Sequence, residues 1–376
     1  MPVKVLYVHR SEKIGGANRV LLGIFDKLDR SRFEPLSVLP RGGPMEAELQ
    51  VRDVPYTLLD VIGPGTAGGK LAQLAAAFAM IRLIRKHRVR LLHANTAAGY
   101  RLPSLAARIT RVKRICHIQL TPEQATLERC LRVPPHVLIF CSQALLTQNN
   151  DLLRRLCPRT SCCVVVNSVD TDRLCPGPPP GELVEELRLT PGQPVVSLIG
   201  QVCERKGHPH FLEMAGKLRA EFPQARFLVV GSDLQTGGAY QRQMEQYAQR
   251  LGVADVVSFL GFRTDVGDLI RASDVIVLPS RDEGLPLSLL EAAACAKPIV
   301  AYQTPGVDEV VLDGRNGFLT PHNAAALASA VGQLLHEPHT REQMGQAGRE
   351  HMEKKFSLKA QVEAIQSIYD RLLGGN

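Results

Sequence analysis

Glu283 and Glu291 stand with seven residues between them inside the stretch Leu278 to Phe318, LPSRDEGLPLSLLEAAACAKPIVAYQTPGVDEVVLDGRNGF. They flank a Gly284-Leu285-Pro286 turn that opens a helix. Proline suits the first helical position, where its missing N–H costs nothing, and SLLEAAACA favours helix, so the spacing predicts a helix from about Leu285. The unpaired backbone N–H groups of Gly284 to Ser288, with the positive end of the helix dipole behind them, would then form an anion site. Glu283 lies just before that helix and Glu291 in its second turn, so the carboxylates bracket the anion without competing for one point. A phosphate with hydroxyl groups on either side of it suits both. Taken singly, either glutamate reads equally well as a solvated surface residue.

The elements that must position these groups are legible as alternating strands and helices. Val275–Leu278 is a short apolar, branched run, the pattern of a buried parallel strand, and the loop after it, Pro279 to Gly284, carries Glu283. Chemistry in open α/β sheets gathers at such strand ends. Strands are expected at Val3–Val8, Leu36–Leu39, Leu91–His93, Lys113–Ile118 and Val137–Cys141. A second set is expected at Val195–Ile199, Phe227–Val230, Val256–Phe259, Val275–Leu278 and Pro298–Ala301. Between the sets lies the stiff run CPGPPPG, Cys175 to Gly181. The expected organisation is therefore two doubly wound Rossmann-like α/β domains, at 1–175 and 182–355, joined by a linker at 176–181, with a terminal segment at 356–376.

The Glu-turn-Glu spacing, continued through Pro298, Gly306, Glu309 and Asn316-Gly317, resembles the motif of family 4 glycosyltransferases, retaining enzymes of the GT-B fold. The resemblance covers nearly the whole chain and is more specific in the second half. It implies two domains facing across a cleft, with the last helix, Leu358 to Leu373, crossing back to the first domain. It further implies that Glu283 contacts the hydroxyls of a donor sugar, that Gly284, Leu285, Pro286 and Leu287 hold sugar and phosphate, and that Glu291 binds ribose hydroxyls. Arg205 and Lys206, in the loop after Val195–Ile199, are the cations suited to the charge that develops on a departing diphosphate, a task that needs no metal. Many family members carry an arginine where Gln201 stands, so the cationic load falls on Arg205 and Lys206. Phe262 and Arg263, after Gly261, correspond to a loop that supports the nucleotide base.

In the first half, Gly15-Gly16-Ala17-Asn18-Arg19-Val20 resembles the family's Gly-Gly-Ala-Glu-Arg-Val pattern, with Asn18 in place of glutamate. Two glycines there allow close approach of a donor diphosphate or an acceptor. The family's sugar-contacting histidine maps onto either His117 or Gln119, which alternate onto one face of the same strand; His117 is the expected catalytic partner. Asn167 to Asp172, NSVDTD, resembles the Asn-Gly-Val-Asp segment that enters the linker, and no metal site is expected from its aspartates.

Composition narrows the partners. Residues 1–175 carry 26 Lys and Arg against 13 Asp and Glu, and residues 176–376 carry 19 against 24, so the basic character belongs to the first half. Such a field suits an acidic acceptor, a lipid-linked acceptor or an anionic membrane surface. Nucleic acid is not expected, since no zinc-finger spacing or aromatic RNA-binding strand accompanies the charge. Nine cysteines without paired CxxC spacing argue for a reducing compartment. The start, MPVKVLYVHR, reads as a strand and loop and not as a leader, and the longest apolar run, Leu74 to Ile81, is far too short to span a bilayer. The expectation is a cytoplasmic enzyme, peripheral on the inner face of the membrane. Leu71, Leu74, Ala75, Phe78 and Ile81 share one side of a helical pattern that runs into Arg82, Arg85, Lys86, Arg88 and Arg90; a core-facing stripe and a lipid-facing one both fit it.

The expected activity is thus hexosyl transfer, with retention, from a nucleotide-sugar to an acceptor hydroxyl in glycolipid, polysaccharide or other glycoconjugate synthesis. A UDP-sugar is favoured over a GDP-sugar, and no cofactor is required. The alternatives are a GT-B sugar-nucleotide epimerase or hydrolase, and a noncatalytic nucleotide- or carbohydrate-binding subunit.

Overall fold

The computed structural model describes residues 1–60, 69–120 and 123–374. The chain divides into two compact units, Met1–Ser168 together with Leu358–Asn376, and Val169–Ser357. Each is built on one all-parallel sheet among the described residues. The first has seven strands in the order β3-β2-β1-β4-β5-β6-β7, where β1 is Val3–Val8, β2 Phe33–Leu39, β3 Tyr56–Leu58, β4 Leu91–Ala94, β5 Lys113–Ile118, β6 Val137–Phe140 and β7 Ser161–Val164. The second has six in the order β10-β9-β8-β11-β12-β13, where β8 is Val195–Ile199, β9 Arg226–Val230, β10 Val257–Gly261, β11 Val275–Leu278, β12 Ile299–Tyr302 and β13 Gly317–Thr320. In both, the order reverses direction beside the first strand of the unit, between β1 and β4 and between β8 and β11. Doubly wound sheets open a ligand crevice at that switch point.

The central strands are almost wholly apolar because helices cover both faces: β8, β11 and β12 are buried along their length, and the one hydroxyl in β8, Ser197, is bonded to Ser273 Oγ at 2.6 Å. In the second unit, Phe211 and Phe227 meet edge to face at 6.2 Å in a core shared with Leu198, Val229, Val277 and Val331. The last helix, Leu358–Leu373, belongs to the first unit. There Tyr369 lies against Phe33 at 5.2 Å, its hydroxyl is 2.9 Å from the Tyr7 hydroxyl and 2.6 Å from His93 Nδ1, and Arg32 bonds Asp370 at 2.5 Å.

The division between units falls at Ser168, ahead of the proline-rich run. Val169 and Ser357, the first and last residues of the second unit, pair as a β-bridge, and Arg349 bonds the Leu174 carbonyl at 2.7 Å. The run after Asn167 is therefore fixed to the second unit by backbone bonds that composition does not reveal. Asp170 accepts from the N–H groups of Asp172 and Arg173, which makes the NSVDTD segment an aspartate-capped turn. No helix among the described residues is long and apolar enough to cross a membrane.

Candidate donor site at the switch point of the second unit

The loops after β9, β8, β11 and β12, neighbours in the sheet, are laced together through glycines. A side chain on Gly231 would stand 1.8 Å from the Gly200 carbonyl oxygen, one on Gly207 2.0 Å from that of Pro279, and one on Gly306 2.2 Å from that of Gly284. Gly207 and Gly306 also have φ of +71° and +87°, a conformation that glycine alone adopts readily. Ser280 Oγ and the Arg281 N–H both donate to the Arg205 carbonyl, and Thr304 Oγ1 donates to that of Ser280. The Gly306 position of the sequence motif is thus scaffold for the Glu283-Gly284 turn. Asn316 is scaffold too: it is buried, accepts from Leu312 N–H and donates to the Val310 carbonyl.

This lacing brings three charged side chains to the crevice between β8 and β11. Lys206 closes a short 3-10 turn, Glu204–Lys206, and its Nζ donates to Glu283 Oε1 at 2.7 Å; Arg205 Nη1 lies 3.0 Å from the same oxygen. Arg205 also donates to the Asp282 carbonyl. The Lys206 and Glu283 side chains are only 9% and 6% exposed, while Arg205 is 30% exposed. Burial pushes the Glu283 carboxyl up, but the charges of Lys206 and Arg205, with hydrogen bonds from Lys206 and Ser280, outweigh it and hold the group below the usual carboxylate range. An ionised carboxylate therefore stands between two cations in a site nearly closed to water.

The helix that follows runs Leu287–Ala294 and starts later than the sequence predicts. Pro286 is its N-cap, extended at ψ 113°, and its carbonyl accepts from Leu289 and Leu290 N–H. The N–H groups of Leu287 and Ser288 precede the helical ladder and are the ones placed to meet an anion. Glu291 is half-buried in the second turn of this helix. The Phe262 ring is 50% exposed beside Gly261. Arg263 is committed to carboxylates, with bonds of 2.5 to 3.0 Å to Glu186 and Asp265 that raise its pKa, so this loop offers the ring and backbone of Phe262 and not a free guanidinium.

In the first unit, Gly15 caps the helix Gly16–Lys27, and a side chain placed there would meet nothing within 4 Å. Asn18, buried, bonds His9 Nδ1 and the carbonyls of Ser11 and Lys13, shaping the loop after β1. His117, the expected catalytic partner, lies in the interior of the first unit. It is fully buried on β5, 5.7 Å from His93, with neither ring nitrogen bonded, and burial pushes its pKa down to about 3. The residue at the strand end is Gln119, half-buried, whose Nε2 donates to Asn95 Oδ1 at 3.3 Å; Asn95 in turn bonds the Ala17 carbonyl. Asn95, one residue past the end of β4, belongs to no sequence motif. Its position at a strand end beside the switch point was the available signal.

The model of the glycosyl transferases group 1 matches residues 182–351, and that of the glycosyl transferase 4-like domain matches residues 15–174. D-inositol 3-phosphate glycosyltransferase 2 of Catenulispora acidiphila is 34% identical over 210 residues, 54% of this chain and 49% of the relative. The GDP-mannose-dependent alpha-(1-6)-phosphatidylinositol monomannoside mannosyltransferase of Mycolicibacterium smegmatis is 34% identical over 191 residues, 48% and 49% of the two chains. The chain spans about half the length of these curated relatives. In fold, it is similar to HepE of Anabaena, solved in complex with UDP and glucose, with a TM-score of 0.85 and 23% identity over 98% of this chain and 99% of that one. With both of its halves matched by models of glycosyl transferases, the chain belongs to the GT-B glycosyltransferases of the family 4 type.

Proposed function

We propose that the protein is a retaining, metal-independent hexosyltransferase that moves a sugar from a UDP-sugar to a hydroxyl of a lipid-linked or acidic acceptor at the inner face of a membrane. The observation that carries the reading is the meeting of Lys206, Arg205 and Glu283 at the switch point between β8 and β11. A nucleoside diphosphate leaving group gains negative charge in the transition state. Fixed cations and the Leu287 and Ser288 amides aimed at that charge stabilise it without reorganisation. Glu283 holds the hydroxyls of the reacting sugar, and Glu291 those of the ribose. No carboxylate is needed as a nucleophile if the departing phosphate takes the acceptor proton on the same face as the bond it leaves. The UDP bound to HepE favours a UDP donor, and the phosphatidylinositol monomannoside substrate named for the Mycolicibacterium relative favours a lipid-linked acceptor.

The test is to supply purified protein with UDP-sugars and GDP-sugars, with and without candidate lipid acceptors and with a chelator throughout. The proposal expects nucleotide release that depends on acceptor and persists in chelator. Release without acceptor would mark a hydrolase or epimerase, absence of turnover with retained binding would mark a noncatalytic subunit, and loss of activity in chelator restored by a divalent ion would overturn the metal-free mechanism.

A further inference from the structure

The helix α3, Gly69–His87, buries one face and leaves the other without a packing partner among the described residues. Met80, Leu83 and Ile84 are at most 9% exposed, whereas Leu71, Leu74 and Phe78 are 80%, 57% and 70% exposed. Leu71, Leu74, Phe78, Arg82 and Arg85 follow one another at spacings of three and four residues, which at 100° per residue makes a single stripe about 21 Å long. Its first half is apolar and its second cationic, and Arg82, Arg85 and Lys86 are all exposed. A groove of about 760 Å³ follows this face, lined by Phe78, Ala79, Ile81, Arg82, Arg85 and Lys86. The neighbouring helix α4, Ala97–Ile109, leaves Leu105 and Ile109 exposed at 45% and 53%, and Arg101 and Arg108 are exposed beside them in sequence.

The charge around the stripe is of one sign. From residue 61 to residue 122 the chain carries eleven Lys and Arg and no Asp or Glu. A second copy of the same face would meet like charge with like. Nucleic acid would satisfy the cations but leave Leu71, Leu74 and Phe78 in water. A bilayer containing anionic lipid satisfies both halves: large apolar side chains enter the acyl boundary and the cations meet headgroup phosphates. We propose that the exposed face of α3 docks the protein on an anionic lipid surface, with Leu71, Leu74 and Phe78 inserted and Arg82, Arg85 and Lys86 at the headgroups.

The chain contains no tryptophan, so Phe78→Trp installs a single reporter at the centre of the stripe. On addition of phosphatidylcholine vesicles containing phosphatidylglycerol, its emission shifts to the blue; with phosphatidylcholine alone, or with tryptophan placed instead at exposed Leu251 of the second unit, it stays unshifted. Added salt weakens the binding. The combined change Arg82→Gln, Arg85→Gln, Lys86→Gln lowers partitioning by about 100-fold, the product expected of three basic residues near an anionic leaflet. Leu71→Ser with Leu74→Ser and Phe78→Ser, all at exposed positions, abolishes co-sedimentation without changing the thermal transition. Absence of binding by the unsubstituted protein would overturn the proposal. So would binding that survives both sets of substitutions, or a face that Leu71→Ser, Leu74→Ser and Phe78→Ser release only from self-association. The readout is binding and not turnover, so its outcome is independent of the transfer reaction.

Discussion

Replacing Lys206 by Met removes the nearer of two cations from a carboxylate that is 6% exposed. Breaking a buried ion pair by deleting one partner costs about 3 to 5 kcal/mol, because the remaining charge stays out of water. Arg205, 3.0 Å from the same oxygen, still faces Glu283, so the loss falls at the lower end, about 3 kcal/mol. Glu283→Gln leaves Lys206 buried without its anion and costs a similar amount. The double variant leaves neither charge stranded, so its loss falls short of the sum by about 2 kcal/mol, the coupling of the pair. For a unit of the size of Val169–Ser357, 3 kcal/mol corresponds to a fall in Tm of about 6 to 12 °C. Calorimetry and urea unfolding of the four proteins at neutral pH give the cycle. Lys206 and Arg205 hold the Glu283 pKa down in the folded protein, so the coupling is present above the unfolded carboxylate range and is lost only as pH falls through the lowered value. Losses that add within about 0.5 kcal/mol would show that Lys206 and Glu283 act independently, and the preorganised pair would have to be abandoned.

Three further predictions follow from the same geometry. Arg205→Ala slows transfer by about 10²-fold, the scale for losing one donor to a developing anion, whereas Glu291→Ala weakens nucleotide affinity more than turnover; an unchanged affinity for free UDP after Glu291→Ala would remove its ribose role. Burial holds the pKa of His9 to about 4 and of His117 to about 3 in the first unit, and of His208 to about 4 in the second. These folded values lie below the unfolded value near 6.5, so stability is full above that pH and falls below it, by about 2 kcal/mol per group at pH 5. The first unit should therefore melt first in acid, and a Tm flat from pH 7 to 5 would contradict the burial of these rings. Gly306→Ala places a side chain 2.2 Å from the Gly284 carbonyl at a φ of +87° and should cost about 2 kcal/mol or more, while Gly15→Ala, with open space around it, should leave Tm unchanged. If Gly15→Ala lowers kcat/KM at unchanged Tm, a ligand approaches there; a fall in both parameters would make Gly15 structural instead.

The sequence discloses central strands well and edges poorly, for a physical reason. β8 and β11 match their expected spans because strands covered on both faces read as near-continuous apolar runs, and β1 and β5 match theirs through a largely apolar second half that follows a charged start. β3, β7 and β13 leave no such signal: all three are sheet edges of three or four residues, short and partly exposed. The Glu283 loop and the Arg205-Lys206 loop are legible because motif and strand end coincide, but that both cations converge on one carboxylate oxygen is a tertiary fact. His117 and Gln119 share a strand face, and alternation cannot say that the strand ends between them, leaving His117 buried and Gln119 half-buried. For α3, the amphipathic pattern has two apolar sides, and only packing reveals that Met80, Leu83 and Ile84 are the buried one.

The most direct measurement is the proton NMR spectrum of the glycoside formed from an α-linked UDP-sugar in the presence of a chelator. The account predicts an α-linked product whose formation falls with Arg205→Ala and with Glu283→Ala. A β-linked product, or none until a divalent ion is restored, would contradict it.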